Sequence, residues 1–483
     1  MSNQKKVIFE RPSDFQIAET KCGWSVEFEN RVGRDHCLPP LRRYPYPYRC
    51  AMAISNDTDG MTFAAFKDWH DFVNGTKTTS YGKGLSLEVG DSYWVWAYDS
   101  NSNFSLYHGM PYEQNLEPSP ENELISNLGQ IGWLDTLHGF GQWTEQWSLN
   151  RERILFALDK IQELGIKSAV YVNHSGNGYT AAHSIGGPWG SYQMGDVPEH
   201  PAYCLDLLKQ FGFKYFWTDV CFELAKFGDH LKFANQANLD SAVSQYNFNR
   251  FFYLKKDEIF PGLTNEEKMM LKHIFFNKTL IPTQGRDSSK LYCFKRYRGE
   301  YPPDSTNFAH QVNSTNLDTL EKQEGSVIIY QHLGIWRPLG FNKQDPLFNC
   351  GRRTSQVPIL DENAVWAFRR LAERVKTGKL FLTTTGRLLD YLWVRDNLDY
   401  HIETHDEVHI IKIRQIICPV YGSLEVTEKL LQGLTFIIPA SWQNVHIEVE
   451  NLQNLPEIKR VPDPENEQCH FIFFPWIPLV YPE

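Results

Sequence analysis

The run Ala51-Met-Ala-Ile-Ser-Asn-Asp57 is a short apolar segment that ends in polar residues. The same pattern recurs along the chain, and helix-like segments separate most of the copies. The further copies are residues 131–138, 168–174, 213–219, 291–296, 326–332 and 379–385. Apolar runs of this length that alternate with helices are typical of parallel strands in βα units. The series predicts an α/β protein, and specifically a closed or nearly closed (β/α) barrel over residues 45–395.

Several segments between these runs carry helix signals. Residues 151–164 place apolar side chains on one stripe, and Gly165 follows as a stop signal. Residues 264–267, Thr-Asn-Glu-Glu, form a capping-box pattern that predicts a helix through Phe276. Asp361 precedes another apolar stripe, which ends just before Gly378.

Two long insertions interrupt the alternation. Residues 70–130 contain Gly-rich and aromatic stretches, including Trp94-Val-Trp96, and are predicted to form a hairpin-bearing excursion. Residues 175–200 are rich in glycine and predict an irregular loop near the mouth of the barrel. Long loops in compact domains often carry function.

The pattern changes after about residue 397. Residues 445–450 alternate apolar and charged side chains, which predicts a half-exposed strand. We therefore expect three regions: an N-terminal extension at 1–44, the barrel at 45–397, and a small antiparallel β domain at 398–483.

Composition narrows the classes of function. The 483 residues carry a net charge of −10, which disfavours a nucleic-acid partner. No apolar run approaches the ~20 residues of a membrane span, and the N-terminal apolar run is too short for a secretory signal, so we expect a cytoplasmic protein. The 31 Phe, 23 Tyr and 14 Trp point weakly to carbohydrate, because aromatic rings stack on sugar faces. Nine cysteines without a C-x-x-C spacing argue against a disulfide framework.

The predicted strands end in chemically active side chains. In a parallel barrel these ends face one mouth, where active sites form. Read in chain order, the residues are Asp57, Asp59, His138, His174, Asp219, Arg296 and His332. Carboxylates and imidazoles that converge on one mouth can form a metal site with an acid/base pair.

These motifs resemble the polysaccharide deacetylase family, the NodB-homology type of carbohydrate esterase. Residues 55–60, Ser-Asn-Asp-Thr-Asp-Gly, are similar to its first motif, in which a strand ends in two nearby aspartates followed by glycine. Residues 138–142, His-Gly-Phe-Gly-Gln, resemble its second motif, with Gln142 where a second histidine is usual. Residues 325–332 resemble the late strand that delivers a histidine, and residues 378–391 resemble the closing strand and helix.

The resemblance implies a distorted (β/α)7 barrel with long loop insertions that binds a divalent metal, most often zinc, and removes acetyl groups from amino sugars. It implies Asp57 as general base, His332 as general acid, and Asp59 and His138 as metal ligands. Either His174 or Gln142 would complete the metal shell. Asp219, Arg296 and Trp143 are candidates for supporting the site or contacting the carbohydrate substrate.

Two other functions stay open at this point. A glycosidase on a similar barrel would pair Asp57 or Asp59 with a distant carboxylate such as Glu145 or Asp219, and it would need no metal. A degenerate barrel would bind carbohydrate without catalysis, and Gln142 in place of histidine favours this alternative, because an amide oxygen is a weak zinc ligand.

Overall fold

The structure is a computed structural model. It describes residues 39–58, 60–97, 104–109, 116–142, 149–172, 195–223, 279–285, 287–298, 305–334 and 359–482. The predicted N-terminal extension up to residue 38, the predicted helix at 264–276 and most of the predicted loop at 175–200 lie outside these residues.

One mixed, mainly parallel sheet forms the centre of the molecule. The first thirteen strands are β1 (Cys50–Asn56), β2 (Thr78–Thr79), β3 (Gly82–Lys83), β4 (Asp91–Ala97), β5 (Ser105–His108), β6 (Glu117–Pro118), β7 (Leu134–Gly139), β8 (Val170–Val172), β9 (Tyr215–Glu223), β10 (Leu280–Gln284), β11 (Lys290–Arg298), β12 (Ser326–Gln331) and β13 (Leu380–Leu382). The central sheet runs β13-β1-β12-β11-β9-β8-β7-β4-β5-β6, with β10 paired to β11. Neighbours from β13 to β5 are parallel, whereas β6 and β10 pair antiparallel. All seven predicted strands are therefore confirmed as strands of one sheet.

The central sheet curves back on itself. Strands β1 and β4 are separated by six strand spacings along the sheet, which would be about 29 Å in a flat sheet at ~4.8 Å per spacing. The Asn56 amide nevertheless donates to the Asp91 carboxylate at 3.1 Å, and Ser92 Oγ donates to the Asn56 carbonyl at 2.8 Å. Side chains thus join β1 to β4 where, among the described residues, no backbone ladder pairs them.

Helices pack against both faces of this sheet, and several follow local sequence signals. They are α1 (Phe63–Val73), α2 (Asn122–Ile131), α3 (Arg151–Glu163), α4 (Leu205–Gln210), α5 (Ser305–Gln311), α6 (Ser314–Lys322), α7 (Glu362–Lys376) and α8 (Thr385–Asn397), followed by a short α9 (Glu428–Leu431). Asp361 caps α7 by accepting from the Ala364 N–H at 2.8 Å, as its position predicts. Gly165 and Gly378, with φ of 66° and 71°, adopt the left-handed conformation just after α3 and α7.

The prediction for residues 70–130 is only partly right. This interval does contain a small hairpin, β2–β3, but it also contributes β4, β5 and β6 to the central sheet. The β4 sequence Asp91-Ser-Tyr-Trp-Val-Trp-Ala97 is buried along its whole length. A hydropathy pattern does not predict this burial, because the strand begins with two polar residues. Inside the protein these two residues form hydrogen bonds with β1.

Two smaller sheets follow the central one, as the change of pattern near residue 397 predicts. Their strands are β14 (Leu398–His405), β15 (Val408–Cys418), β16 (Gly422–Leu424), β17 (Thr435–Pro439), β18 (Asn444–Val449), β19 (Lys459–Pro462) and β20 (Cys469–Phe473). Pairing is antiparallel except between β15 and β18. Apolar residues of these sheets, such as Ile411 and Phe436, share one hydrophobic cluster with α8 and with β1. Among the described residues, no helix combines the length and apolar character that crossing a membrane requires.

A buried carboxylate fixes the start of α8. Asp135 of β7 accepts hydrogen bonds from the Gly386 N–H at 2.5 Å and from Thr136 Oγ1 at 2.8 Å. Burial raises the pKa of Asp135 to about 6, although the hydrogen bonds from Gly386 and Thr136 act in the opposite direction. Because this folded-state pKa is above that of the unfolded chain, the contribution of Asp135 to stability is full below about pH 4 and is lost as the pH rises through 6.

This shift gives a testable pH dependence. Between pH 4 and pH 7, Asp135 should reduce the free energy of unfolding by about 2 kcal/mol, at 1.36 kcal/mol per pKa unit. The Asp135→Asn variant has no titrating group at this position, so its unfolding free energy should fall less over the same range. Urea unfolding of both proteins at pH 4, 5, 6 and 7 measures the difference, and parallel pH profiles would contradict the expectation.

Candidate active site

The candidate site lies where the carboxyl ends of the parallel strands meet. Asp57 follows β1, His332 follows β12, His138 is the penultimate residue of β7, and Arg296 is near the end of β11. All four belong to the set predicted from strand ends. The structure brings these four together although they are far apart in the chain.

Asp57 and Arg296 form a buried bidentate ion pair. The two terminal guanidinium nitrogens donate to the two carboxylate oxygens of Asp57, at 2.5 and 3.2 Å. Arg296 is fully buried, and its guanidinium lies between the rings of Trp217 and Tyr330, with its Cζ 3.7 and 4.1 Å from their centroids. The two aromatic rings pack against the cation in place of water, which holds the guanidinium against the carboxylate.

Two imidazoles face one oxygen of the same carboxylate. Asp57 Oδ2 lies 3.9 Å from His138 Nε2 and 3.6 Å from His332 Nε2. His138 Nδ1 lies 3.2 Å from the Val172 carbonyl oxygen, which can only accept, so Nδ1 carries a proton. In the neutral ring, Nε2 of His138 is therefore the basic nitrogen, and it points toward Asp57.

His332 is held differently. Its Nε2 makes a 2.9 Å hydrogen bond with Tyr330 Oη, two residues earlier on the same face of the strand end. Its buried Nδ1 has no hydrogen-bond partner among the described residues. One edge of the His332 ring is thus tied to Tyr330 and Asp57, and the other edge has no partner within the described part of the chain.

Asp57 is ionised in this setting. Burial raises the pKa of the carboxyl, but Arg296 first, and His138 and His332 after it, outweigh burial and hold the pKa below its ordinary value. The folded-state pKa is therefore lower than that of the unfolded chain. It follows that Asp57 stabilises the fold above about pH 4 and that this stabilisation is lost as the pH falls further.

The two glycines beside His138 have a packing role. A Cβ at Gly139 would lie 2.5 Å from the ring of Trp94, and one at Gly141 would meet the indole of Trp96. Trp94 in turn packs edge-on against the His138 ring, with centroids 5.4 Å apart. The glycines therefore make room for two indoles, and the indole of Trp94 packs against His138.

The structure describes only some of the other predicted site residues. Asp59, Trp143 and His174 lie outside the described residues. Asp219 lies in β9, but its side chain is outside the described part, and Gln142 is half-buried close after β7.

Tyr330 and Ser55 were absent from the sequence-based set. Ser55 Oγ accepts from Arg296 at 3.3 Å, and Tyr330 contacts both Arg296 and His332. Both residues stand two positions before a predicted strand-end residue. Because side chains alternate along a strand, that spacing puts them on the same inward face and is the signal that could have identified them.

One predicted metal ligand, His138, lies among the described residues. His138 shares one feature with many metal-binding histidines, because its Nδ1 is bonded to a backbone carbonyl and leaves Nε2 as the basic nitrogen. The described residues contain no group of three or more His, Cys, Asp or Glu side chains suited to a metal. Two of the three predicted ligands, Asp59 and His174, lie outside those residues.

Comparison of the chain with protein-family models, with curated proteins and with solved structures returned no match.

Proposed function

We propose that this chain is a metal-dependent hydrolase of the polysaccharide deacetylase type, which removes acetyl groups from a polysaccharide or amino-sugar substrate. The observation that carries the proposal is the convergence of two imidazoles on one buried carboxylate, with both Nε2 atoms within 4 Å of Asp57 Oδ2. Asp57, His138 and His332 are the three residues to which the family resemblance gives the roles of base, metal ligand and acid.

The sheet supports the finer fold assignment. Five strands, β12, β11, β9, β8 and β7, lie between β1 and β4, the two strands that side chains join, and β13 pairs with the other edge of β1. We assign β1, β4 and the five strands between them to a distorted (β/α)7 barrel that is incompletely closed, with β13 at the edge where the ladder ends. In such a barrel the site described above would lie at the catalytic end.

The donor set fits a zinc ion. His138 would present Nε2 to the metal, and Asp59 with either His174 or Gln142 would complete the set of protein ligands. A zinc ion bound there would polarise the acyl carbonyl and lower the pKa of a bound water toward ~7.

Asp57 and His332 would then transfer protons in two different steps, the attack of water and the departure of the amine. Asp57, held ionised by Arg296, accepts a proton at Oδ2 from the attacking water. It is a weak base because its pKa is low, so it requires a water that is already acidified. His332, when protonated, donates to the departing amine, which is otherwise a poor leaving group.

The substrate class follows from the leaving group and from the charge of the chain. A proton donor beside the base suits an acetamide, whose amine must be protonated to depart. The net charge of −10 suits a neutral or cationic glycan better than a polyanion such as nucleic acid.

Acetate release tests the proposal against its alternatives. Acetylated glucosamine oligosaccharides should yield free acetate, the activity should disappear after zinc is removed by a chelator, and it should return when zinc is added. New reducing ends without acetate, unaffected by chelation, would identify a glycosidase instead. Binding of the oligosaccharides with neither product would identify a non-catalytic barrel. Either of these two results overturns the proposal.

A further inference from the structure

Asn56 is the last residue of β1 and directly precedes Asp57. Its side chain is buried, with 1% of the residue exposed. Its Nδ2 donates to both carboxylate oxygens of Asp91, at 3.1 Å each, and its Oδ1 accepts from the Leu333 N–H at 2.6 Å. Leu333 directly follows His332. One amide side chain is therefore bonded between β4 and the two segments that carry Asp57 and His332.

Asp91 is itself anchored from two further directions. Its Oδ1 accepts from the Ser92 N–H at 2.7 Å, and its Oδ2 lies 2.9 Å from His70 Nε2. His70 Nδ1 accepts from Asn74 Nδ2 at 2.8 Å, so the proton of the neutral ring is on Nε2 and points to Asp91. Asn74 also bonds the Val89 backbone through both its N–H and its carbonyl oxygen. These contacts fix the carboxylate that holds Asn56.

Asn56 cannot act through contact with the reacting atoms. Successive side chains along a strand point to opposite faces, so Asn56 faces away from the side of β1 that carries Asp57. Its effect on the site must therefore pass through the backbone. The Asp57 N–H donates to the Gln331 carbonyl at 2.8 Å, which is the last backbone hydrogen bond between the two strand ends among the described residues. The hydrogen bond from Leu333 to the Asn56 side chain joins the same two segments two residues further along.

We infer that Asn56, held by Asp91, is a positioning residue that sets the spacing between Asp57 and His332. The inference rests on the proposed function, which names these two residues as base and acid. The 3.6 Å between Asp57 Oδ2 and His332 Nε2 depends on the relative placement of two strand ends, and Asn56 is bonded to both. A misplacement of about 1 Å in a catalytic pair can lower the rate about a hundredfold.

Asn56→Ala tests the inference, with Asn74→Ala as a matched control. Both variants remove a buried amide side chain from the same hydrogen-bonded chain, but Asn74 bonds Val89 and His70 rather than the segments beside the site. Imidazole NMR signals of His332 in the full-length protein report its hydrogen bonding and electrostatic environment, which change when its spacing from Asp57 changes. We expect Asn56→Ala to shift these signals and Asn74→Ala, which reaches Asn56 only through His70 and Asp91, to shift them much less, even where both variants unfold at lower temperature.

A kinetic measurement accompanies the NMR comparison. Asn56→Ala should lower kcat roughly tenfold to a hundredfold with little change in KM, because the substrate still binds but the proton-transfer pair is misaligned. Unchanged His332 signals in Asn56→Ala, or equal shifts in both variants, would overturn the inference.

A second variant keeps the test decisive where Asn56→Ala does not fold. Asp91→Asn preserves volume and leaves Asn56 bonded to Leu333, but it replaces one carboxylate oxygen with a donor. We expect a smaller shift of the His332 signals in this variant, and no shift would overturn the inference. If the protein releases no acetate at all, the proposed function fails while the NMR comparison still decides whether Asn56 positions His332.

Discussion

Replacing Asp57 by asparagine is expected to lower the rate of acetate release by about 10²–10⁴-fold, the range typical of losing one positioned proton acceptor. Asparagine keeps the shape of the side chain but cannot accept a proton from water. Steady-state kinetics on acetylated oligosaccharides measures the loss, and metal analysis of the same sample should still find zinc, because Asp57 is not among the predicted ligands. A variant with near-normal activity would contradict the role of Asp57.

A control is needed because Asp57→Asn leaves Arg296 buried without its counter-charge. The double variant Asp57→Asn with Arg296→Met removes both charges, and replacing a whole buried ion pair by neutral groups is often nearly neutral for stability. We expect the double variant to unfold close to the wild type and to remain inactive. Recovery of activity together with stability would show that Asp57 matters only for folding.

Arg296→Met is expected to cost about 3–5 kcal/mol of unfolding free energy, because it leaves a buried carboxylate unpaired. The same change removes the strongest influence that lowers the pKa of Asp57, so burial should raise that pKa. Protonation of Asp57 then relieves the penalty, and the cost of the substitution should be smaller at pH 5 than at pH 8. Urea unfolding at the two pH values measures both effects.

Arg151→Met is the matched control for this experiment. Arg151 makes a bidentate ion pair with Asp206, at 2.6 and 2.7 Å, but both side chains are more than 40% exposed. Exposed pairs of this kind contribute about 0–1 kcal/mol. Equal losses of unfolding free energy from the two substitutions would show that burial does not increase the cost of breaking the Asp57–Arg296 pair.

The strand positions and part of the site follow from local sequence pattern. Asp57, His138 and His332 each end an apolar run, and in a parallel sheet such ends meet at one edge whatever the order of the strands. That rule predicts which residues converge without any knowledge of their contacts. The alternation of side chains along a strand would have added Ser55 and Tyr330 by the same reasoning.

The pairings within the site could not be predicted in this way. Arg296 is 239 residues from Asp57, and its selection as the partner depends on strand order and on a register shift in β11. The packing role of the glycines beside His138 could not be predicted for a related reason. Their neighbour is the indole-bearing strand β4, which pairs with β7 but was not predicted as a strand of the central sheet. Local pattern identifies what a strand presents, whereas contacts between strands depend on the whole topology.

Anomalous diffraction at the zinc absorption edge, from crystals of the zinc-loaded protein, tests the central claim most directly. The account predicts one strong peak about 2.0–2.1 Å from His138 Nε2, with Asp57 and His332 on either side of the space next to it. A peak bound elsewhere on the chain, or no peak beside His138 at saturating zinc, would contradict it.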